Sequence, residues 1–359
     1  MRVRRVRVAG VGEALRRGPH RGRALCVTAA VLVAAGAGGW LVLPGGDGGG
    51  DGEDGRRLGS AGSLGLPWPD EGQTSIEVRG VGSLGSKGGR EPVPIASVTK
   101  VMTAYVILRE HPLEAGEDGP RITVDADAAQ ESHSLSESTV QLREGRRHTQ
   151  RELLELLLLP SGNNVARLLA RWDAGSQKAF VAKMNRAAED LGMTRTTYTG
   201  ASGFESSTKS TADDQLKLAR KAMEQPALRE VVALRDTTVP GVPGTVTNTN
   251  RLLDKPGVIG LKTGSSTPAG GNLMWATEAK SGAKRYLVLG VVLGQRAHTT
   301  PAEGLAAAID RSGALIDAVQ RNLPLALSAD KALRADKALS ADKALSADKV
   351  LSAGKPVRS

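Results

Sequence analysis

Cysteine is almost missing. Cys26 is the only one, so no disulfide can close within the chain. A domain of this length can bury enough core without such staples, and export is therefore not excluded. Aromatic residues are also scarce, 3% of 359 residues, which leaves little to stack on bases. The net charge is +10, but it is lodged at the two ends. Eight arginines against Glu13 give residues 1–23 a charge of +7, the residues from Pro324 onward carry +3, and the stretch between is neutral. A neutral central region offers no basic surface to track a phosphate backbone, so nucleic acid is not expected as a partner. The histidines (His20, His111, His133, His148 and His298) are scattered without ligand spacing. Neither a metal nor another cofactor is expected.

Long charge-free runs are equally rare, and one stands out. Residues 24–43 carry no charge, and at helical rise they would cover about 30 Å, one hydrocarbon thickness. Arginines before the run and none just after it predict a cytoplasmic N-terminus, with the rest outside the membrane. A signal anchor and a signal peptide cut after Ala35-Gly36-Ala37 both fit; the long basic leader and the full-length span favour the anchor. Residues 44–73, rich in Gly, Asp and Ser, read as a flexible linker. Residues 74–322 read as one folded domain, and residues 323–359 as a low-complexity extension. That extension repeats Ser-Ala-Asp-Lys-Ala-Leu every six residues, which sets successive leucines 120° apart on a helix and makes no apolar stripe.

Within the domain, Pro94 to Arg109 is the segment around which the rest is arranged. From Val101 to Leu108 it is apolar on nearly every side, so it predicts a buried helix too short to cross a bilayer. Ser97 and Lys100 stand in its first turn, three residues apart, on one face. A serine needs a base to become a nucleophile, and a lysine is one only when neutral. Burial and a second cation would both push its pKa down. The spacing alone is a weak signal, because Ser206/Lys209, Ser281/Lys284 and Ser328/Lys331 repeat it.

Two further segments strengthen it. Thr149-Gln150-Arg151-Glu152 is a capping box opening a leucine-rich helix that Pro160 ends. The loop Ser161-Gly162-Asn163-Asn164 then precedes a helix expected from Val165 to Trp172, and can push Ser161 and Asn163 into a cavity. Val258 to Gly264 reads as a strand carrying Lys262, a cation that burial would force to find an anionic partner. Lys280-Ser281-Gly282 matches the same Lys-Ser/Thr-Gly pattern but falls at a hairpin tip between strands 272–277 and 285–293. A helix from about Pro301 to Gln320 closes the domain.

Taken in order, Ser97/Lys100, Ser161/Asn163 and Lys262/Thr263/Gly264 strongly resemble the active site of the serine D-Ala-D-Ala carboxypeptidases, the low-molecular-weight penicillin-binding proteins. Ile95 to Ala104 looks like the family's nucleophile helix. Leu159 to Ala166 looks like its second element, which more often carries Asp where Asn164 stands. Leu191-Gly192-Met193 followed by Thr196 is similar too, and the resemblance covers roughly residues 73–320. It implies an α/β, β-lactamase/transpeptidase-like fold: an antiparallel sheet flanked by helices, with a helical subdomain.

The resemblance also implies roles. Ser97 would acylate on the penultimate D-alanine of a peptidoglycan stem peptide ending in D-Ala-D-Ala, with Lys100 as base. Ser161 would pass a proton to the leaving amine, and Asn163 would hold the substrate backbone. Lys262 and Thr263, followed by Gly264, would bind the terminal carboxylate. The N–H groups of Ser97 and Ser265 would form the oxyanion hole, and β-lactams would inhibit by acylating the same serine. A class A β-lactamase needs a deacylating glutamate, and no Glu-x-x-x-Asn stands in its place between Ser161 and Lys262. A non-catalytic relative would have lost Ser97, Lys100 or Lys262, whereas an endopeptidase would keep all three.

Overall fold

The computed structural model describes residue 58 and residues 64–353. The basic leader, the apolar run 24–43 and most of the predicted linker lie outside the described residues. Among the described residues no helix is long and apolar enough to cross a membrane.

The chain begins its sheet with the hairpin β1 (Gln73–Val78) and β2 (Gly82–Gly88), then β3 (Val93–Pro94). A 3-10 turn, Ala96–Thr99, runs straight into α1 (Lys100–Glu110). The short pair β4 (Arg121–Thr123) and β5 (Arg147–Thr149) brackets α2 (Ala126–Glu131). Three helices follow: α3 (Gln150–Leu158), α4 (Asn163–Ala174) and α5 (Gln177–Asp190). The capping box at the start of α3 forms as its sequence predicts, Glu152 N–H donating to Thr149 Oγ1 at 3.1 Å and Thr149 N–H to Glu152 Oε2 at 3.0 Å. β6 (Lys209–Ser210) pairs with β3, and α6 (Ala212–Ala222), α7 (Pro226–Ala233) and the small hairpin β7 (Asp236–Thr237) and β8 (Val246–Thr247) complete the helical side. The chain returns to the sheet with β9 (Val258–Ser266), β10 (Gly270–Ser281) and β11 (Lys284–Gln295), and ends its described part with α8 (Pro301–Ala353).

The main sheet is antiparallel throughout, in the order β2-β1-β11-β10-β9. Period-2 alternation sorts its side chains into two cores. Met274, Ala276, Leu289, Val291 and Leu293 face the helices α1 and α3–α7. Leu273, Trp275, Val288 and Val292 face α8. Gly290 lies opposite Trp275, where an added Cβ would come within 2.0 Å of the indole ring, so only glycine leaves room for it. The α/β class, the antiparallel sheet and the helices on both faces match the expectation.

Three expectations are corrected. The helix predicted from Pro94 is a 3-10 turn first and an α-helix only from Lys100. Leu58 and Leu64, placed in the flexible linker by composition, are buried against α8 residues such as Leu323, and Asn322 Nδ2 donates to Leu64 O at 2.7 Å. The closing helix does not stop at Gln320; it runs on through Pro324, and no break separates the domain from the repeat.

Candidate active site

Ser97 and Lys100 meet because of the 3-10 turn, where side chains at i and i+3 eclipse. Lys100 Nζ lies 2.8 Å from Ser97 Oγ. The residue before the serine, Ala96, has φ +45°, a left-handed conformation that costs a non-glycine residue about 1–3 kcal/mol. Gly203 makes this possible: a Cβ there would fall 1.9 Å from Ala96 O.

Lys100 is wholly buried, and two other oxygens surround its amine. Asn163 Oδ1 is at 2.5 Å and Ser202 O at 2.8 Å. Burial is the main cause pushing its pKa well below the ordinary lysine value, with Lys262 and Arg167 adding to it and Glu137 and Glu205 opposing. The shift favours the neutral amine, which has two N–H bonds and one lone pair. Asn163 Oδ1 and Ser202 O are acceptors only and take the two N–H bonds. The lone pair is left for the hydroxyl proton of Ser97. This is the arrangement of a general base poised on a nucleophile.

α4 delivers the second element. Its N-terminus is Asn163, two residues earlier than the helix start read from sequence, so Asn163 is helical and not part of a loop. Ser161, just before it, has φ +70° and is buried; among the described residues its Oγ has no hydrogen-bond partner. Asn163 Nδ2 donates to Glu137 Oε2 at 2.6 Å, and its other N–H has no acceptor among the described residues. Asn164 points the other way and ties the 128–140 segment together, accepting from Val140 N–H and donating to Ala128 O and Val140 O.

β9 forms the third wall. It is the edge of the sheet, so alternate N–H groups along it lack a partner within the sheet. Gly264 backs onto the Ser97 turn so closely that a Cβ would come within 2.8 Å of both Ser97 N and Val98 N. Thr263 Oγ1 meets Thr249 Oγ1 at 2.6 Å, and Thr249 N–H donates to Leu159 O at 3.1 Å, joining the strand to the Ser161 loop. Lys262 is buried, and burial lowers its pKa to about 7. The anionic partner expected for it is absent: among the described residues its amine contacts only Thr263 Oγ1, at 3.5 Å. A buried cation with no carboxylate beside it is a place where a ligand carboxylate would be gained.

Of the predicted residues, Lys100 touches both Ser97 and Asn163, and Gly264 abuts the Ser97 turn. Lys262, Thr263 and Ser265 stand with Gly264 on β9, and Ser161 lies just before α4. The sequence reading missed Glu137, Arg167, Ser202 and Thr249. Among the described residues no group of three or more His, Cys, Asp or Glu is placed to hold a metal ion.

A sequence profile for D-alanyl-D-alanine carboxypeptidases matches residues 83–297. The D-alanyl-D-alanine carboxypeptidase DacB2 of Mycobacterium tuberculosis is 37% identical over 207 residues, which is 56% of this chain and 67% of that protein. The Bacillus subtilis D-alanyl-D-alanine carboxypeptidase DacF is 30% identical over 186 residues, and the match spans only 46% of its length and 50% of this chain. Among solved structures, the Streptomyces K15 DD-transpeptidase superposes with a TM-score of 0.61 at 27% identity, covering 70% of this chain and 98% of that one. With that profile matching more than half its length, the chain belongs to the D-alanyl-D-alanine carboxypeptidase family.

Proposed function

We propose that this protein is a serine D-alanyl-D-alanine carboxypeptidase that removes the terminal D-alanine from peptidoglycan stem pentapeptides through an acyl-enzyme. The observation that carries this is the Lys100 amine, which has two acceptor-only oxygens 2.5 and 2.8 Å away and Ser97 Oγ 2.8 Å off. Ser97 Oγ attacks the carbonyl of the penultimate D-alanine as Lys100 takes its proton. The N–H groups of Ser97 and Ser265 hold the resulting oxyanion, a kind of contact worth about 10²–10³ in rate per donor. Ser161 Oγ passes a proton to the leaving amine and takes back the one Lys100 gained, so free D-alanine departs and Lys100 is neutral again. Lys100 then draws a proton from water, which attacks the ester and restores Ser97.

Lys262 and Thr263 bind the terminal carboxylate, which makes the enzyme an exopeptidase, and the free Asn163 N–H holds the substrate backbone. A β-lactam, with its own carboxylate and strained carbonyl, acylates Ser97 by the same route. Two related proteins named D-alanyl-D-alanine endopeptidase are 33% and 30% identical, so cleavage within cross-links is the second reading. The apolar run 24–43 serves as a membrane anchor that keeps the domain on the outer side of the cytoplasmic membrane, where the substrate is.

Assay of the residue released, D-alanine from a pentapeptide ending in D-Ala-D-Ala and D-alaninamide from the same peptide with a C-terminal amide, tests the reading. Release should need Ser97 and fall steeply with the amide. Equal cleavage of both peptides would remove the carboxylate-binding role from Lys262 and favour endopeptidase action.

A further inference from the structure

We infer that Glu137 is a positioning residue: by accepting from Asn163 Nδ2 it fixes which end of that amide faces Lys100, and so aims the amine's lone pair at Ser97. The inference rests on the carboxypeptidase reading and adds a residue to it that no motif contains.

Glu137 lies on the segment between α2 and β5, and its side chain is only 11% exposed. Arg167 grips its carboxylate as a fork, Nη2 to Oε1 at 2.7 Å and Nη1 to Oε2 at 3.1 Å. Arg167 is itself held by Glu131, Nε to Oε2 at 2.8 Å. Because Arg167 and Asn163 are four residues apart on α4, one helix face carries both the clamp and the clamped amide. Burial by itself would raise the Glu137 pKa, but the hydrogen bonds from Arg167 and Asn163 outweigh it and hold the group below the ordinary glutamate value. The carboxylate is ionised, so both its oxygens can only accept.

That restriction has a consequence two residues away. An amide is nearly symmetric in shape, and its two ends differ only in donating or accepting. If Asn163 flipped, its Oδ1 would face a carboxylate oxygen 2.6 Å away, acceptor against acceptor. Its Nδ2 would then face the Lys100 amine and donate into the lone pair. Ser97 would be left as an acceptor with no base for its proton. Glu137 forbids that arrangement, and Ser202 O, a backbone carbonyl, fixes the second N–H of the lysine.

Charge effects can be separated from orientation. The groups acting on Lys100 are Lys262 on β9 and Arg167 on α4, which lower its pKa, and Glu137 and the loop residue Glu205, which raise it. Removing the Glu137 charge lowers the Lys100 pKa further. Loss of the carboxylate therefore displaces the acid limb of acylation to lower pH. A slower rate on the plateau above that limb cannot come from a protonated base.

The test measures the second-order rate of acylation by a fluorescent penicillin across pH. It uses the full chain and its Glu137→Ala, Glu137→Gln, Asn163→Ala and Glu137→Ala/Asn163→Ala variants, with circular dichroism to check folding. Glutamine can donate as well as accept, so it releases the amide while keeping the shape, and it carries the test if the alanine variant does not fold. Both single Glu137 variants should lose about 10²-fold on the plateau, the cost of a misaligned reacting group, with the acid limb moved to lower pH. In the Asn163→Ala background, losing Glu137 should change the rate by less than about 3-fold, because the two residues act as one unit. Glutamine at position 137 reacting at the wild-type rate would overturn the inference. So would an equal loss from Glu137→Ala in both backgrounds, or an acid limb moved upward. A wild-type chain that takes no label would sink the carboxypeptidase reading along with it.

Discussion

Lys262 is a cation the fold holds at its own expense, and replacing it should stabilise the protein while disabling it. Its pKa falls from 10.5 to about 7 because it is buried, and a shift of that size corresponds to about 5 kcal/mol of penalty on the charged form. The unfolded chain keeps its proton up to 10.5, whereas the folded one releases it near 7. Below pH 7 both states are protonated and the native state bears the whole penalty. Between 7 and 10.5 the unfolded state holds the extra proton, so native stability rises with pH across that window. Methionine has a similar length and no charge. Lys262→Met should therefore raise stability at pH 6 by up to about 5 kcal/mol, with each kcal/mol moving the melting midpoint by about 2–4 °C. The gap between variant and wild type should narrow steadily toward pH 10. Because Lys262 also lowers the Lys100 pKa, the acid limb of β-lactam acylation should move up in the variant, and the carboxylate preference should be lost. Denaturation of both chains at pH 6 and pH 9.5, at one ionic strength, measures the effect. A variant less stable than wild type at pH 6, or a gap that does not change with pH, would refute the reasoning.

Two other substitutions probe the walls of the pocket. Gly264→Ala puts a Cβ within 2.8 Å of the Ser97 and Val98 nitrogens, so β9 must retreat from the nucleophile turn. Acylation should slow by at least about 10-fold, with about 1–3 kcal/mol of stability lost; stopped-flow labelling and a melt read both. Asn164→Asp keeps the acceptor for Val140 N–H but turns the donors to Ala128 O and Val140 O into a carboxylate facing carbonyls. It should cost at least about 2 kcal/mol at pH 7 in a denaturant titration, and less once acid protonates the new group.

Local signals were the legible ones. Ser97 and Lys100 could be paired from sequence because three-residue spacing puts them together in either a 3-10 or an α turn. The capping box at Thr149 and Glu152, the hairpin tip at Lys280 to Gly282 and the strand bearing Lys262 each follow from residues a few places apart. Glu137 gave no such signal: it is an ordinary polar residue in a Ser-rich stretch, and only the packing of α2 on α4 brings it to Asn163. The carboxylate partner that sequence suggests for Lys262 is not found among the described residues, where its amine meets only Thr263 Oγ1. Leu58 and Leu64 were hidden by the glycine and serine around them, although burying two leucines is favourable enough to order a short segment. The closing helix is expected to end near Gln320, yet it runs on through Pro324, where one missing N–H is outweighed by Ala and Leu favouring helix on both sides.

In the proposed reaction one hydroxyl, woken by one neutral amine, does the covalent chemistry. Membranes or purified chain incubated with a fluorescent penicillin, then denatured and resolved by electrophoresis, test it for wild type, Ser97→Ala and Lys100→Arg, the last carrying a guanidinium that cannot lose its proton. The wild-type chain should carry the label covalently and both variants should be dark. Label on the Ser97→Ala chain would contradict the account, whatever the other lanes show.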